Sequence, residues 1–369
     1  MNDVKNSSER RNGKRALSTT LIAVVIVVIV AVGGIAGYFL VKRPSISPTP
    51  TTQTVTVISN ASFSAGGTTA GADSFPFDWA LSMGFFKKVL PNVNVQGFPG
   101  GAGDVIHALE TGSIGVAYAA GSSAITAIAK GAPIVIVAFW MNTPYTTFVL
   151  VRSDSGITNI TQLKNATFAN SKPGSNDAIA LDLVAGNMGW NISSIHRVYV
   201  GSTSGQYAAV VSGKATATVL NVWDLQFLRS GKLKPIYTNY LAWPGEVIVA
   251  NRDFLASHPK DVQAFIQAMI ELARVWYGNY GNSIIQYLVS TYNYTVPQAQ
   301  AFLKLSYATN LSTAAIYVSA IQNALTALRL AGAITNSSVG VSAFYNGQFV
   351  PVQPSDIPYP YKPVVLPLT

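Results

Sequence analysis

The chain has 369 residues, 49% of them hydrophobic and only 11% charged, and it contains no cysteine. This is a folded chain long enough for two ordinary domains, with no disulfide framework, zinc finger or thiol nucleophile. The net charge of +9 does not signal nucleic acid: seven Lys or Arg against Asp3 and Glu9 fall in the first 43 residues, and the rest carries 17 basic against 13 acidic residues, scattered and without a basic patch.

Residues 1–15 are a basic segment with Lys5, Arg10, Arg11, Lys14 and Arg15, and Ala16 to Val41 carries no charge. As a helix rising 1.5 Å per residue that run is about 39 Å long, enough to span a bilayer with tilt. The basic flank predicts a cytoplasmic amino terminus and an extracellular folded domain on a single-pass cell-membrane protein. The junction Gly13-Lys14-Arg15-Ala16-Leu17-Ser18 resembles the class III, pilin-like signals of archaeal surface proteins, which implies a cut between Arg15 and Ala16 that leaves the apolar helix in place. Residues 42–54, with Pro44, Pro48 and Pro50, read as an extended tether. Sequons at Asn60, Asn159, Asn165, Asn191, Asn293, Asn310 and Asn336 fit an extracellular setting.

The folded part begins with a predicted strand at Val55 to Ile58, followed by a glycine-rich loop from Asn60 to Asp73 with the look of a ligand loop. Phe75 to Lys88 is helical, with Trp79, Ala80, Met83 and Phe86 on one face. Strand, loop and helix then alternate: Val93–Phe98, Pro99–Gly103, Asp104–Glu110; next Ile114–Tyr118, Ala119–Ser123, Ala124–Lys130, and a strand from Pro133 to Trp140. Such alternation argues a parallel sheet with crossover helices.

After Asn142–Tyr145 and a strand at Thr147–Val151 a second α/β unit follows: strand Thr167–Ala169, loop Asn170–Asp177, helix Ala178–Met188, strand His196–Val200, loop Gly201–Gly205, helix Tyr207–Val211 and strand Ala217–Leu220. It repeats the first in outline, Gly103, Gly112, Gly131 and Pro133 corresponding to Gly205, Gly213, Gly231 and Pro235. Trp243 to Val249 reads as a return strand. Phe265, Ile266, Met269, Leu272, Ala273 and Trp276 recur at helical spacing, and Thr295-Val296-Pro297 opens a further helix. The expected division is residues 55–145 and 249–345 for lobe 1, 146–248 for lobe 2, and 346–369 for a proline-rich tail.

With Gly84-Phe85-Phe86-Lys87-Lys88, Ala108 to Ile114, Ala129 to Ile134, Ser155-Gly156-Ile157 before Gln162-Leu163-Lys164, and Phe254-Leu255 to Pro259, the chain resembles the substrate-binding proteins of ABC importers. In particular it resembles the nitrate, sulfonate and taurine group, which shares its domain with thiamin-precursor binders. It implies a two-lobe periplasmic-binding-protein-like fold of type II, each lobe a mixed sheet flanked by helices, here behind a transmembrane helix. It also implies a small anionic or zwitterionic solute, a partnership with permease subunits, no cofactor and no enzymatic activity. The alternative is an anchored ectodomain that senses or adheres. Gly115 and Thr216 stand where the family usually has acidic residues.

Loops at carboxyl ends of strands deliver the chain into helix amino termini, where unpaired N–H groups favour anions. The expected ligand contacts are Ser64, Gly101, Ala102, Gly121, Ser122, Ser123, Thr143, Lys172, Gly174, Ser175, Asn176, Asn221, Trp223, Asp224 and Glu246. Gly101 and Gly121 could equally only make turns, and Ser122, Ser123, Ser175 and Asn176 only cap helices. Trp223 and Trp243 could pack between lobes, and Asp224 could cap a helix or meet an amine. His107, His196 and His258 stand apart, so no metal site is expected, and no nucleophile motif or phosphate loop occurs.

Overall fold

The computed structural model describes residues 56–69, 74–221, 224, 227, 230–276, 278, 281–308, 314–335 and 339–353, all within the compact unit Thr54–Thr369. The basic segment, the apolar run Ala16–Val41, the tether and the tail from residue 354 lie outside the described residues. Among the described residues no helix is long and apolar enough to cross a membrane.

In chain order the elements are β1 (Ser64–Thr68), α1 (Phe75–Ser82), α2 (Phe85–Val89), β2 (Asn94–Phe98), α3 (Ala102–Glu110), β3 (Val116–Ala120), α4 (Gly121–Ala129), β4 (Ile134–Arg152), β5 (Thr167–Asn170), α5 (Asn176–Asn187), β6 (His196–Tyr199), α6 (Thr203–Val211), β7 (Ala217–Asn221), β8 (Leu233–Asn251), α7 (Arg252–Ser257), α8 (Pro259–Trp276), α9 (Gly281–Tyr292), α10 (Val296–Ala308), β9 (Ile316–Tyr317), α11 (Val318–Leu330) and β10 (Val352–Gln353). The main sheet runs β2-β1-β3-β8-β4-β7-β5-β6 and is mixed. The outer strands on each side are parallel, and the central pair β8 and β4 is antiparallel to its neighbours.

The central pair divides this sheet into two halves. β3 pairs only with the Glu246–Ala250 end of β8, and β7 only with the Thr147–Val151 end of β4. Between these ends the two long strands pair with each other alone, Asn142 to Thr146 against Tyr240 to Pro244, with register shifts around Met141. Pro144 and Pro244 lie in this bare ribbon, where a missing N–H costs no bond to a third strand. The sequence reads Asn142–Tyr145 as a break before a new strand and starts the return strand only at Trp243, whereas both long strands run straight through.

The first strand also differs from expectation. Residues 56–63 form no strand, and β1 lies inside the stretch expected to be a ligand loop. Its glycines are packing surfaces: a Cβ on Gly66 would meet the Phe98 ring at 2.6 Å, and one on Gly67 the Phe77 ring at 2.6 Å. Phe77, fully buried, stacks on Tyr118 at 5.3 Å and 3° and meets Phe86 at 5.1 Å, and Phe86 stacks on Phe265 at 6.3 Å. Each such ring contributes about 1.5–3 kcal/mol by burial. α8 buries the stripe expected of it, including Phe265, Met269, Leu272 and Trp276, the last meeting Trp79 edge-on at 5.7 Å.

Beyond the ribbon the packing changes character. A small aliphatic cluster of Leu150, Ala169, Ala209, Val210, Ala215, Leu220 and Leu233 is accompanied by buried Asn170, Asp182, Gln206 and Thr218. α11 packs against β8, α4 and α5, so it touches both halves, and a Cβ on Gly186 of α5 would lie 3.0 Å from Leu330.

Candidate functional site

A cavity of about 320 Å³ lies between the halves, at the carboxyl ends of parallel strands from each. From the first half it takes Thr68 at the end of β1, Gly100 to Gly103 after β2, and Ala120, Ser122 and Ser123 where β3 becomes α4. From the second it takes Ser171 to Asp177 after β5, Gly201 to Thr203 after β6, Gln206, and Asp224 past the end of β7; Glu246 of β8 completes the lining.

Three helix amino termini open onto this space: α3 behind Gly101, α4 behind Ala120 and α5 behind Ser175. In none of them does the residue before the first turn cap the helix with its side chain. α6, by contrast, is capped by Ser202, whose hydroxyl accepts from the Gly205 N–H. The serines expected as caps have other tasks. Ser175 Oγ donates to the Lys172 carbonyl at 2.7 Å and to Asp177, and Ser122 Oγ donates to Asn176 Oδ1 at 2.6 Å. The positive ends of α3, α4 and α5 therefore face the cavity without a side-chain cap.

Asp177 organises the second-half loop. It accepts from Asn170 Nδ2 (3.0 Å), the Ser171 N–H (2.8 Å), Gln206 Nε2 (3.1 Å) and the hydroxyls of Ser171 and Ser175. Gln206 also reaches Thr218 Oγ1 at 3.0 Å, and Thr218 donates to the Ala169 carbonyl at 2.8 Å. Asp177 is thus engaged by its own loop. Asp224 and Glu246 are the deeply buried acidic side chains of the lining, 3% and 2% exposed, while Lys172 is exposed at the rim.

Of the expected contacts, Gly101, Ala102, Ser122, Ser123, Lys172, Gly174, Ser175, Asn176, Asp224 and Glu246 line the cavity. Ser64 does not: it opens β1, and the cavity takes Thr68 at the other end, about 13 Å along a strand. Gly121 lies under the ribbon, where a Cβ would meet the Pro244 carbonyl oxygen at 2.0 Å. The expected loop Ala119–Ser123 is absent, because β3 runs directly into α4 and only glycine admits β8 at that corner. Thr143 pairs with Trp243 within the ribbon, Asn221 is the last residue of β7, and Trp223 lies outside the described residues. Trp243 is buried, its indole N–H 3.4 Å from Asn176 Oδ1.

The fold accords with the comparisons. The family model described as NMT1/THI5 like matches residues 72–272. The chain belongs to that family. The match takes in β2 to β8 and both halves of the NMT1/THI5-like sheet. No curated protein sequence matches the chain.

Among solved structures, the periplasmic aliphatic sulphonate binding protein SsuA of Escherichia coli is similar at 18% identity and a TM-score of 0.65, covering 82% of this chain and 96% of that one. The periplasmic nitrate-binding protein NrtA of Synechocystis PCC 6803 is 19% identical with a TM-score of 0.56, covering 75% and 83%. The Candida albicans CA3427 gene product, described as having the generic periplasmic binding protein fold, is 16% identical with a TM-score of 0.58, covering 80% and 99%. This NMT1/THI5-like chain thus has the fold of periplasmic solute-binding proteins.

Proposed function

We propose that the chain is the extracellular solute-binding component of an ABC importer, taking a small solute with an anionic group at one end and an amine at the other. A binding role without catalysis follows from the same reading. The observation that carries it is the double character of the cavity: three helix amino termini without side-chain caps face the same space as the buried carboxylates of Asp224 and Glu246. Helix termini favour an anion, and a carboxylate favours an ammonium group. An amino-sulfonate joins both in one small molecule, and the sulfonate and nitrate binders named among the similar structures support the anionic end.

Asp224→Asn is expected to weaken 2-aminoethanesulfonate by about 1.5–3 kcal/mol more than methanesulfonate, because only the former loses a charge-assisted hydrogen bond. Calorimetry with both ligands measures this, after a thermal-shift screen of sulfonates, amino-sulfonates, nitrate and pyrimidines has shown which solutes raise the melting temperature. Equal losses would remove the amine from the reading, and a screen without any shift would remove the anion.

The export and tethering of the domain belong to the same proposal. It is supported by the basic flank before the charge-free run Ala16–Val41, and by the exposure of every sequon asparagine among the described residues: Asn60, Asn159, Asn165, Asn191 and Asn293. Protease added to intact cells is expected to release a folded fragment beginning between residues 42 and 54; full protection would place the domain inside.

A further inference from the structure

Asn176 joins the two halves across the cavity by a side-chain hydrogen bond. It opens α5 on the second half, and its Oδ1 accepts from the hydroxyl of Ser122, in the first turn of α4 on the first half, at 2.6 Å. The Trp243 indole N–H, on the ribbon, reaches the same oxygen at 3.4 Å. An indole nitrogen can only donate, so the side-chain amide must turn its oxygen toward Trp243. With the oxygen so placed, Ser122 donates and the amide nitrogen is directed elsewhere. That Nδ2 makes no hydrogen bond to another described residue, although Asn176 lines the cavity.

The surroundings make this bond important for the fit of the halves. The cleft continues past Gly103, Ser123, Pro173 and Gly174, which border both spaces, into a wider opening of about 800 Å³ between α3, α4, α5 and α11. α4 and α5 thus face each other across open space, with a polar contact where packed side chains would otherwise set their separation.

We infer that Asn176 couples closure of the halves to recognition: Ser122 and Trp243 hold its carbonyl oxygen when the halves meet, and its amide N–H is thereby aimed at an acceptor group of the solute. Its direction toward an anion rests on the binding reading above; the latch between Ser122 and Asn176 does not. Asn176→Asp separates the two parts. A carboxylate accepts from Ser122 and Trp243 as the amide oxygen does, but it offers a negative oxygen in place of the N–H donor.

The chain has no cysteine, so Lys88→Cys and Lys214→Cys, both at exposed positions in different halves, carry the only two spin labels on the full chain. In the labelled protein without added solute, Ser122→Ala and Asn176→Ala are each expected to broaden the distance between labels toward longer values. The two together should do no more than either alone, while Asn176→Asp keeps the parent distribution. Methanesulfonate and nitrate, titrated by calorimetry, should lose on the order of tenfold to a hundredfold in affinity on Asn176→Asp, the weight of one charge-assisted hydrogen bond. An unchanged distribution in Ser122→Ala overturns the latch, and undiminished binding by Asn176→Asp overturns the donor. If neither probe binds the parent protein, the anion reading fails and the label distances still decide the latch.

Discussion

The two halves of the sheet solve the same task with different materials. The first half holds its strands and helices with rings in several sets of contacts: Tyr118, Phe77, Phe86 and Phe265 in one run, Trp79 edge-on to Trp276, and Phe75 against Phe302. The second half sets buried polar groups beside its apolar residues, the Asp177 cluster at the cavity and the pair Asp182–Arg197 on the flank of α5. A phenyl ring such as that of Phe77 has no proton to gain or lose and sets a rigid platform. A polar network fixes geometry only while each partner is present and correctly charged. The ringed half should therefore fail through lost volume and the polar half through lost partners or altered pH.

The largest expected effects test that difference directly. Phe77→Ala should cost about 3–5 kcal/mol in denaturant unfolding, since it removes a fully buried ring and bares Gly67 and Tyr118. The loss should be the same at pH 4 and pH 7. Arg197→Met should also cost about 3–5 kcal/mol at neutral pH, because the side chains of Arg197 and Asp182 are only 14% and 7% exposed and the carboxylate would be left buried and unpaired. Here the loss should shrink at pH 4, where protonation removes the stranded charge. Pairing it with Asp182→Leu should recover most of the stability. A pH-independent loss in Arg197→Met would end the contrast between the halves.

A smaller effect sharpens it. Burial lifts the Asp182 carboxyl above its ordinary value of 3.8, with the charge and hydrogen bond of Arg197 opposing the rise. The native chain then holds a proton that the unfolded chain has released. Stability from this group is greatest below pH 3.8 and is lost as pH rises through the raised value, levelling off above it. The unfolding free energy of the parent protein relative to Asp182→Asn, followed from pH 3.5 to 7, should decline with pH over that window. A rise would mean that the salt bridge outweighs burial.

Part of the fold and of the site was legible in the sequence, and the unread parts have definite causes. α8 was legible because its apolar residues recur with the period of a helix, and Ser175 and Asn176 because they fall between a strand and a helix start. β1 was not, because Gly66 and Gly67 look like a loop until Phe98 and Phe77 are seen lying against them; Thr68 was missed with it and Ser64 chosen in its place. The ribbon was hidden on β4 by Pro144, which argues against a strand only when a third strand needs its N–H, and on β8 only the part from Trp243 onward reads as strand. The Asp177 cluster joins Asn170, Ser171 and Gln206 over as many as 29 positions, and nothing local in the sequence marks that meeting. Gly115 departs from the resembled pattern because the Phe254 ring occupies the place of a side chain, at 2.4 Å from where a Cβ would be.

The ribbon also has a consequence for the chain as it is made. All strand pairings of the second half are available once Asn239 has emerged, since β7 needs only β4, and β4 at Thr147 needs only that residue of β8. The first half waits longer: Tyr118 meets its β8 neighbour only at Ile248, and the Trp79–Trp276 contact forms only once Trp276 has been made. During vectorial synthesis the half richest in rings is thus the last to cover them, so its apolar surface is the part of the nascent protein most in need of a chaperone.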